Sequence, residues 1–281
     1  MKLIITCLLI MSAVLGPVSR AAEPTGHKGS AEQELRVLFI GNSYTGANYL
    51  PYVLKALADA NNKALEVDAV IQNGTSLNQH WQQKIAQQKI TAERWDYVVL
   101  QDASASAEEH PEETLHYGKL FSDLATQHLA RTLLFNTWAY NGVPDWVLGI
   151  KDEQQRQQLS AFVPVMYERT NALYQQLAQK SKAELVPVGQ IWQALKQQAP
   201  GMPLYGKDKS HPSVLGTYLT ATVFYQALFG ELPAKWPLSV NSVRNQTKMN
   251  EQILISVSKT QAQAMCSAIS TVLGRNESCR I

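Results

Sequence analysis

Five short apolar runs, separated by longer stretches with apolar residues at helical spacing, constrain this chain more than any other feature of it. The runs are Leu35–Ile40, Leu65–Ile71, Tyr97–Leu100, Thr132–Thr137 and Glu184–Val188, and β-branched and aromatic residues dominate them, as in strands. Helical patterns follow each one: Tyr49–Asn61, Leu77–Ile90, Pro111–Ala130, Glu153–Lys182 with Pro164 set to kink it, and Gln190–Gln198. Strand and helix alternating in this way imply a parallel sheet between two helical layers, an α/β fold. Further helices are expected over Val214–Leu228 and Asn250–Leu273. No repeat or composition break divides residues 35–281, which read as one domain with a C-terminal helical tail.

In such a sheet, ligands bind beyond the carboxyl ends of the strands. The first run leaves its strand as RVLFIGNSYTG, so Ser43 follows the strand at once and stands on that edge. Taken alone, a serine there is an ordinary turn or helix-cap residue. Its meaning depends on what else reaches the same edge.

Residues 1–22 are a separate matter. Lys2, an apolar run from Leu3 to Leu15, and small residues up to Ala22 have the form of a secretory signal peptide, and the run is short for a membrane span. Residues 23–34 read as a flexible polar leader. The protein is therefore expected to be exported, to the periplasm or beyond. The full chain carries 25 basic and 23 acidic residues, and loss of Lys2 and Arg20 with the signal leaves 23 of each. With no long basic run, nothing points to nucleic acid or to stable membrane insertion. Cys266 and Cys279 survive cleavage, and in an exported chain they are either a disulfide clamping the tail or two separate thiols.

A serine hydroxyl becomes a nucleophile when a base takes its proton, and the base works best with a carboxylate behind it. Six histidines are available, His27, His80, His110, His116, His128 and His211. The first lies in the leader, His80, His116 and His128 in predicted helices, and His110 in the acidic loop EEHPEE. His211 differs, because Asp208 precedes it by three residues and Pro212 opens the next helix. Three residues of turn allow the Asp208 carboxylate to reach Nδ1 and leave Nε2 for Ser43. This loop also follows the fifth strand, on the same sheet edge.

Gly41-Asn42-Ser43 after the first strand, Gly74 in IQNGTSL after the second and Asp208-x-x-His211 near the C-terminus together resemble the SGNH hydrolases, also called GDSL-type esterases and lipases. The likeness spans residues 35 to about 230. It implies a three-layer α/β/α, flavodoxin-like fold with a five-stranded parallel sheet, and ester hydrolysis by Ser43, His211 and Asp208 with no metal or cofactor. It also implies an oxyanion hole built from the N–H groups of Ser43 and Gly74. The family's Gly-x-Asn-Asp block after the third strand is missing here, where the chain reads DYVVLQDASASA. Gln101 either replaces that asparagine as a third donor or only satisfies backbone groups.

Trp138 and Tyr140 follow the fourth strand in FNTWAYNGVPDW, with Trp146 beyond them. Such aromatics either stack on a sugar ring at the cleft or pack inside a loop. The expected substrate is an acyl ester, short-chain such as O-acetyl and carried on a small molecule or glycan. Thioester or lysophospholipid hydrolysis is an alternative, as is a carbohydrate- or envelope-binding protein that kept the fold and lost the reaction.

Overall fold

The computed structural model describes residues 34–243, 252–275, 279 and 281. The expected signal peptide and nearly all of the leader, with His27, lie outside the described residues. Strand β1 (Leu35–Gly41) is followed by a one-turn helix α1 (Ser43–Gly46) and by α2 (Leu50–Ala60). Then come β2 (Leu65–Ile71), α3 (Leu77–Gln83), α4 (Ile85–Ala92), β3 (Tyr97–Leu100), α5 (Ser106–Glu109) and α6 (Pro111–Gln127). Next are β4 (Arg131–Phe135), α7 (Asp145–Leu148), α8 (Glu153–Phe162), α9 (Met166–Ser181), β5 (Glu184–Val186) and α10 (Val188–Gln198). Helix α11 (Val214–Phe229), a hairpin of β6 (Ser239–Val243) and β7 (Gln252–Ser256), and α12 (Lys259–Leu273) complete the described chain.

The first five strands form one parallel sheet in the order β2-β1-β3-β4-β5, the flavodoxin-like arrangement expected from the sequence. Alternate residues of β1 explain its continuous apolar run. Val37 and Phe39 enter the core shared with α2, α10, α11 and α12, while Leu38 and Ile40 enter the opposite core with α3, α4, α6 and α9. From Val37 to Ile40 the strand is buried on both faces and carries no polar residue. Because β2 and β3 lie on opposite sides of β1, the chain reverses direction across the sheet at the end of β1. A crevice opens there, and Ser43 stands in it.

The helix pattern needed two corrections, at Lys84 and in the tail, while the break at Pro164 falls where a kink was expected. The predicted helix Leu77–Ile90 breaks at Lys84, whose left-handed backbone (φ 63°) separates α3 from α4. Pro164 interrupts Glu153–Lys182 with a turn of 3₁₀ helix, Val163–Val165, because proline lacks the N–H and crowds the preceding turn. The tail expected as one helix over Asn250–Leu273 instead begins with β7, paired antiparallel to β6; QILIS is β-branched enough to prefer a strand, and Asn250 lies outside the described residues. Cys266 on α12 is disulfide-bonded to Cys279, with Cα atoms 6.0 Å apart. Among the described residues, no helix is long and apolar enough to cross a membrane.

Candidate active site

The turn after β1 is built by close approach. A Cβ on Gly41 would stand 2.6 Å from both Gln101 Oε1 and Thr45 Oγ1, so only glycine lets β1 pass these groups. Asn42 then caps α1, its Oδ1 accepting the Tyr44 N–H at 3.1 Å. This presents Ser43, half-buried, as the first helical residue.

Across the crevice, the loop before α11 presents His211. Tyr205 and Pro212 pair as an isolated bridge, and the Gly206 N–H donates to the His211 carbonyl at 2.8 Å, closing the loop. Asp208 folds back inside it. Its Oδ1 accepts the N–H groups of Ser210 (3.1 Å) and His211 (3.0 Å), and its Oδ2 lies 2.5 Å from His211 Nδ1. Burial pushes the Asp208 carboxyl up, but the His211 ring and the two backbone donors outweigh it and hold the group below its ordinary value. A carboxylate at Nδ1 fixes the proton there and leaves Nε2 to accept from Ser43 Oγ, 2.8 Å away and 168 residues distant in sequence. The three residues singled out from the sequence therefore form one continuous hydrogen-bonded relay.

Behind the relay is an aromatic stack. Tyr44 lies on Trp138 at 4.7 Å between ring centroids, and Trp138 lies on Trp192 at 4.0 Å. The Trp138 indole N–H donates to the carbonyl of Ser210, the residue before His211. Tyr44 OH and Ser210 Oγ are 2.8 Å apart, and Ser104 Oγ and Tyr140 OH are 2.6 Å apart. Burial pushes the Tyr44 phenol well up and the Tyr140 phenol to about 12, so both stay neutral hydrogen-bonding groups.

This packing corrects the reading of Trp138 and Tyr140 as substrate contacts. They are only 1% and 4% exposed, and they hold the histidine loop rather than face the cleft. Trp146 differs: it is 42% exposed and lines the cleft, with its ring edge-on to Tyr140.

Gln101 also departs from its expected role as an oxyanion donor. It is fully buried, and both of its amide N–H bonds are spent, one on Asn42 Oδ1 (2.9 Å) and one on the Asp102 carbonyl. Its Oε1 accepts from the Asn42 N–H (2.9 Å) and from Thr45 Oγ1 (2.9 Å). Asn42 in turn donates to the carbonyls of Thr75 (3.1 Å) and Asp102 (3.3 Å). The buried Asp102 carboxylate accepts the N–H groups of Leu77 and Ala103 and the Thr114 hydroxyl. Asn42, Gln101 and Asp102 thereby tie together the turns after β1, β2 and β3. Gly74 sits in the turn so held, with φ 71°, and lines the cleft beside Ser43. Sequence reasoning missed the tying role of Asn42 and Asp102, because it depends on partners brought by three separate strands.

Ser43 and His211 stand where two lobes of the cleft meet. A lobe of about 430 Å³ runs toward β2 and α2, and one of about 620 Å³ runs toward α5 and α7. Gly74, Ser104, Glu109 and Trp146 line the larger lobe. Among the described residues, no cluster of three or more histidine, cysteine, aspartate or glutamate side chains could hold a metal ion.

No family model matches the sequence, and no curated protein matches it either. Solved structures do. A protein from Slackia heliotrinireducens classed with the SGNH hydrolases is 26% identical, with a TM-score of 0.54, over 70% of this chain and 100% of that one. A DUF4886 family protein from Bacteroides uniformis is 17% identical with a TM-score of 0.58, over 88% of this chain and 98% of that one. An acetyl xylan esterase is 15% identical with a TM-score of 0.51, over 69% and 100%. The last two likenesses speak for the fold.

Proposed function

Because this chain belongs to the SGNH hydrolase superfamily, we propose that it hydrolyses acyl esters, with Ser43 as nucleophile, His211 as general base and Asp208 as the carboxylate that orients the base. The observation that carries this reading is the unbroken relay from Ser43 Oγ through the His211 ring to Asp208, at 2.8 and 2.5 Å. A protein that only bound its ligand would have no need of a proton path of this kind.

Ser43 Oγ attacks the acyl carbon while its proton passes to His211 Nε2. The negative charge of Asp208 stabilises the imidazolium that results. The oxyanion settles against the N–H groups of Ser43 and Gly74, which the Asn42–Gln101–Asp102 ties hold in place before substrate arrives. Collapse of the tetrahedral intermediate expels the alcohol, which takes the proton from His211. Water then repeats the sequence on the acyl-enzyme and releases the acid.

The alcohol portion occupies the larger lobe. An exposed indole, the Glu109 carboxylate and the Ser104 hydroxyl suit a polyol or sugar, which offers both a flat apolar face and many donors. Export is part of the proposal, supported by the charged, apolar and small-residue pattern of residues 1–22 and by the Cys266–Cys279 disulfide, a bond that persists in oxidising compartments.

The test is labelling with a fluorophosphonate probe, followed by a screen of acetylated polysaccharides and simple acyl esters. The native protein should be labelled once, at Ser43, and Ser43→Ala should abolish both labelling and turnover. Labelling that survives Ser43→Ala would place the nucleophile elsewhere and end this reading.

A further inference from the structure

Resting on the esterase reading, we propose that Tyr44 and Asn48 are positioning residues for the second half of the reaction: they hold His211 over the acyl-enzyme once Ser43 has ceased to bond it. The geometry on both sides of the base carries this.

The nucleophile turn reaches the histidine loop at three consecutive residues. Tyr44, one place after Ser43, shares a hydrogen bond of 2.8 Å with the hydroxyl of Ser210, one place before His211. Ser43 Oγ meets His211 Nε2 at 2.8 Å. Asn48 Nδ2 donates to the carbonyl of Pro212, one place after His211, at 3.2 Å, and to Thr217 Oγ1 on α11 at 2.9 Å. The base is thus held before and behind by the segment that carries the nucleophile. Tyr44 and Ser210 are both buried, so water does not replace their bond when it is lost. The Tyr44 ring stands edge-on to the His211 ring, 5.6 Å between centroids, while its face stacks on Trp138. Asn48 makes its two bonds from a left-handed backbone (φ 50°, ψ 25°), which asparagine adopts more readily than most residues.

The chemistry decides when these bonds matter. In the free enzyme the Ser43 hydroxyl donates to Nε2 and adds a third attachment. Once Oγ is bonded to the acyl carbon it has no proton to donate, and that attachment is gone. Deacylation then requires His211 to take a proton from water while the water oxygen attacks the acyl carbon. The tetrahedral intermediate collapses, the bond to Oγ breaks, and Oγ recovers the proton from Nε2. Asp208 does not supply the missing attachment, because it lies on the same loop and orients the ring without tying that loop to Ser43. The Lys209 and Ser210 carbonyls accept from the Asn141 N–H and the Trp138 indole, which tie the loop to the segment after β4 instead. A drift of about 1 Å in the base costs on the order of 100-fold in rate. It falls on the step in which the flanking bonds have no help from Ser43.

The experiment follows both half-reactions with nitrophenyl acetate in the native protein, Tyr44→Phe, Ser210→Ala, their double variant and Asn48→Gly. Phenylalanine keeps the stack on Trp138 and removes only the hydroxyl; glycine keeps the left-handed turn and removes the amide. kcat/KM reports acylation, and rapid acid quenching with mass spectrometry of Ser43 reports the decay of the acyl-enzyme. In each variant that decay should slow at least about tenfold, with kcat/KM within about threefold of native, so that acylated Ser43 accumulates. Tyr44→Phe and Ser210→Ala remove the same bond, so the double variant should be no slower than the slower single one. Equal slowing of both half-reactions, slowing of neither, or losses that multiply in the double variant overturns the assignment and leaves the esterase reading standing. A native protein that neither turns over nitrophenyl acetate nor takes a fluorophosphonate on Ser43 overturns both.

Discussion

Gln101 and Asn42 grip each other twice: Gln101 Oε1 accepts the Asn42 backbone N–H at 2.9 Å, and Gln101 Nε2 donates to Asn42 Oδ1 at 2.9 Å. The pair sits directly under the nucleophile turn, without solvent to replace a lost bond. All four hydrogen-bonding positions of the Asn42 amide are engaged: Oδ1 by Gln101 and Tyr44, Nδ2 by Thr75 and Asp102. The site therefore keeps its geometry through a pair of buried carboxamides.

Gln101→Met keeps the volume and removes the bonds that the Gln101 amide makes to Asn42, Thr45 and the Asp102 carbonyl. A displacement of the nucleophile of about 1 Å costs on the order of 100-fold in rate, so kcat should fall by about that factor with KM little changed. Gln101→Glu is the sharper probe. Protonated, the new carboxyl can donate to Asn42 Oδ1; ionised, it sets a bare oxygen against Asn42 Oδ1 and the Asp102 carbonyl. Activity of Gln101→Glu should therefore fall as pH rises, over a range where the native enzyme does not lose activity. Parallel pH profiles for the two proteins would show that Gln101 supports the fold but not the positioning.

Asp208→Asn addresses the tautomer. With an amide beside Nδ1, the ring is free to carry its proton on Nε2, where it can no longer accept from Ser43. Loss of a triad carboxylate in this manner costs about four decades of kcat in the serine protease template. A loss of three to four decades is expected here in steady-state esterase assays, with binding of a non-reactive substrate analogue retained. A loss under tenfold would mean that the His211 tautomer is set by something other than Asp208.

The parts of this molecule that were legible in the sequence are those whose signal is local or periodic. The β1 run alternates between two cores, and that two-sided burial shows directly as an unbroken apolar string ending at Gly41. Asp208 and His211 share one short turn, so three residues of spacing suffice to suggest their bond. Gln101 was ambiguous because an amide at a strand end reads the same whether it faces a cleft or a neighbouring turn; only the pairing of β1 with β3 decides which. Trp138 failed for a similar reason. An aromatic just past a strand looks like a cleft residue until Trp192, 54 positions later, stacks on its other face. Likewise, β7 was hidden in an expected helix because its partner, β6, lies beyond a segment with no turn signature of its own.

His80 links the active-site scaffold to the stability of the whole fold. Its ring is buried beneath the Gly41 turn, where Nε2 donates to the Gly41 carbonyl at 2.9 Å and Nδ1 has no protein partner. Burial pushes its pKa below the ordinary histidine value of 6.5, against the smaller opposing pulls of that hydrogen bond and of Asp102. The sign follows from proton counting. Above about pH 6.5 the ring is neutral both folded and unfolded, and His80 adds no pH dependence. As pH falls below 6.5, the unfolded chain takes up a proton that the folded ring resists, so stability declines until the folded pKa is reached. The slope contributed by one such proton is at most about 1.4 kcal/mol per pH unit. Thermal unfolding of the native protein between pH 8 and 5 should show Tm level at the alkaline end and dropping below pH 6.5. His80→Gln can still donate to Gly41 but cannot titrate, so it should lose that part of the drop even if its Tm at pH 8 is lower. Equal acid slopes in the two proteins would assign the decline to other groups.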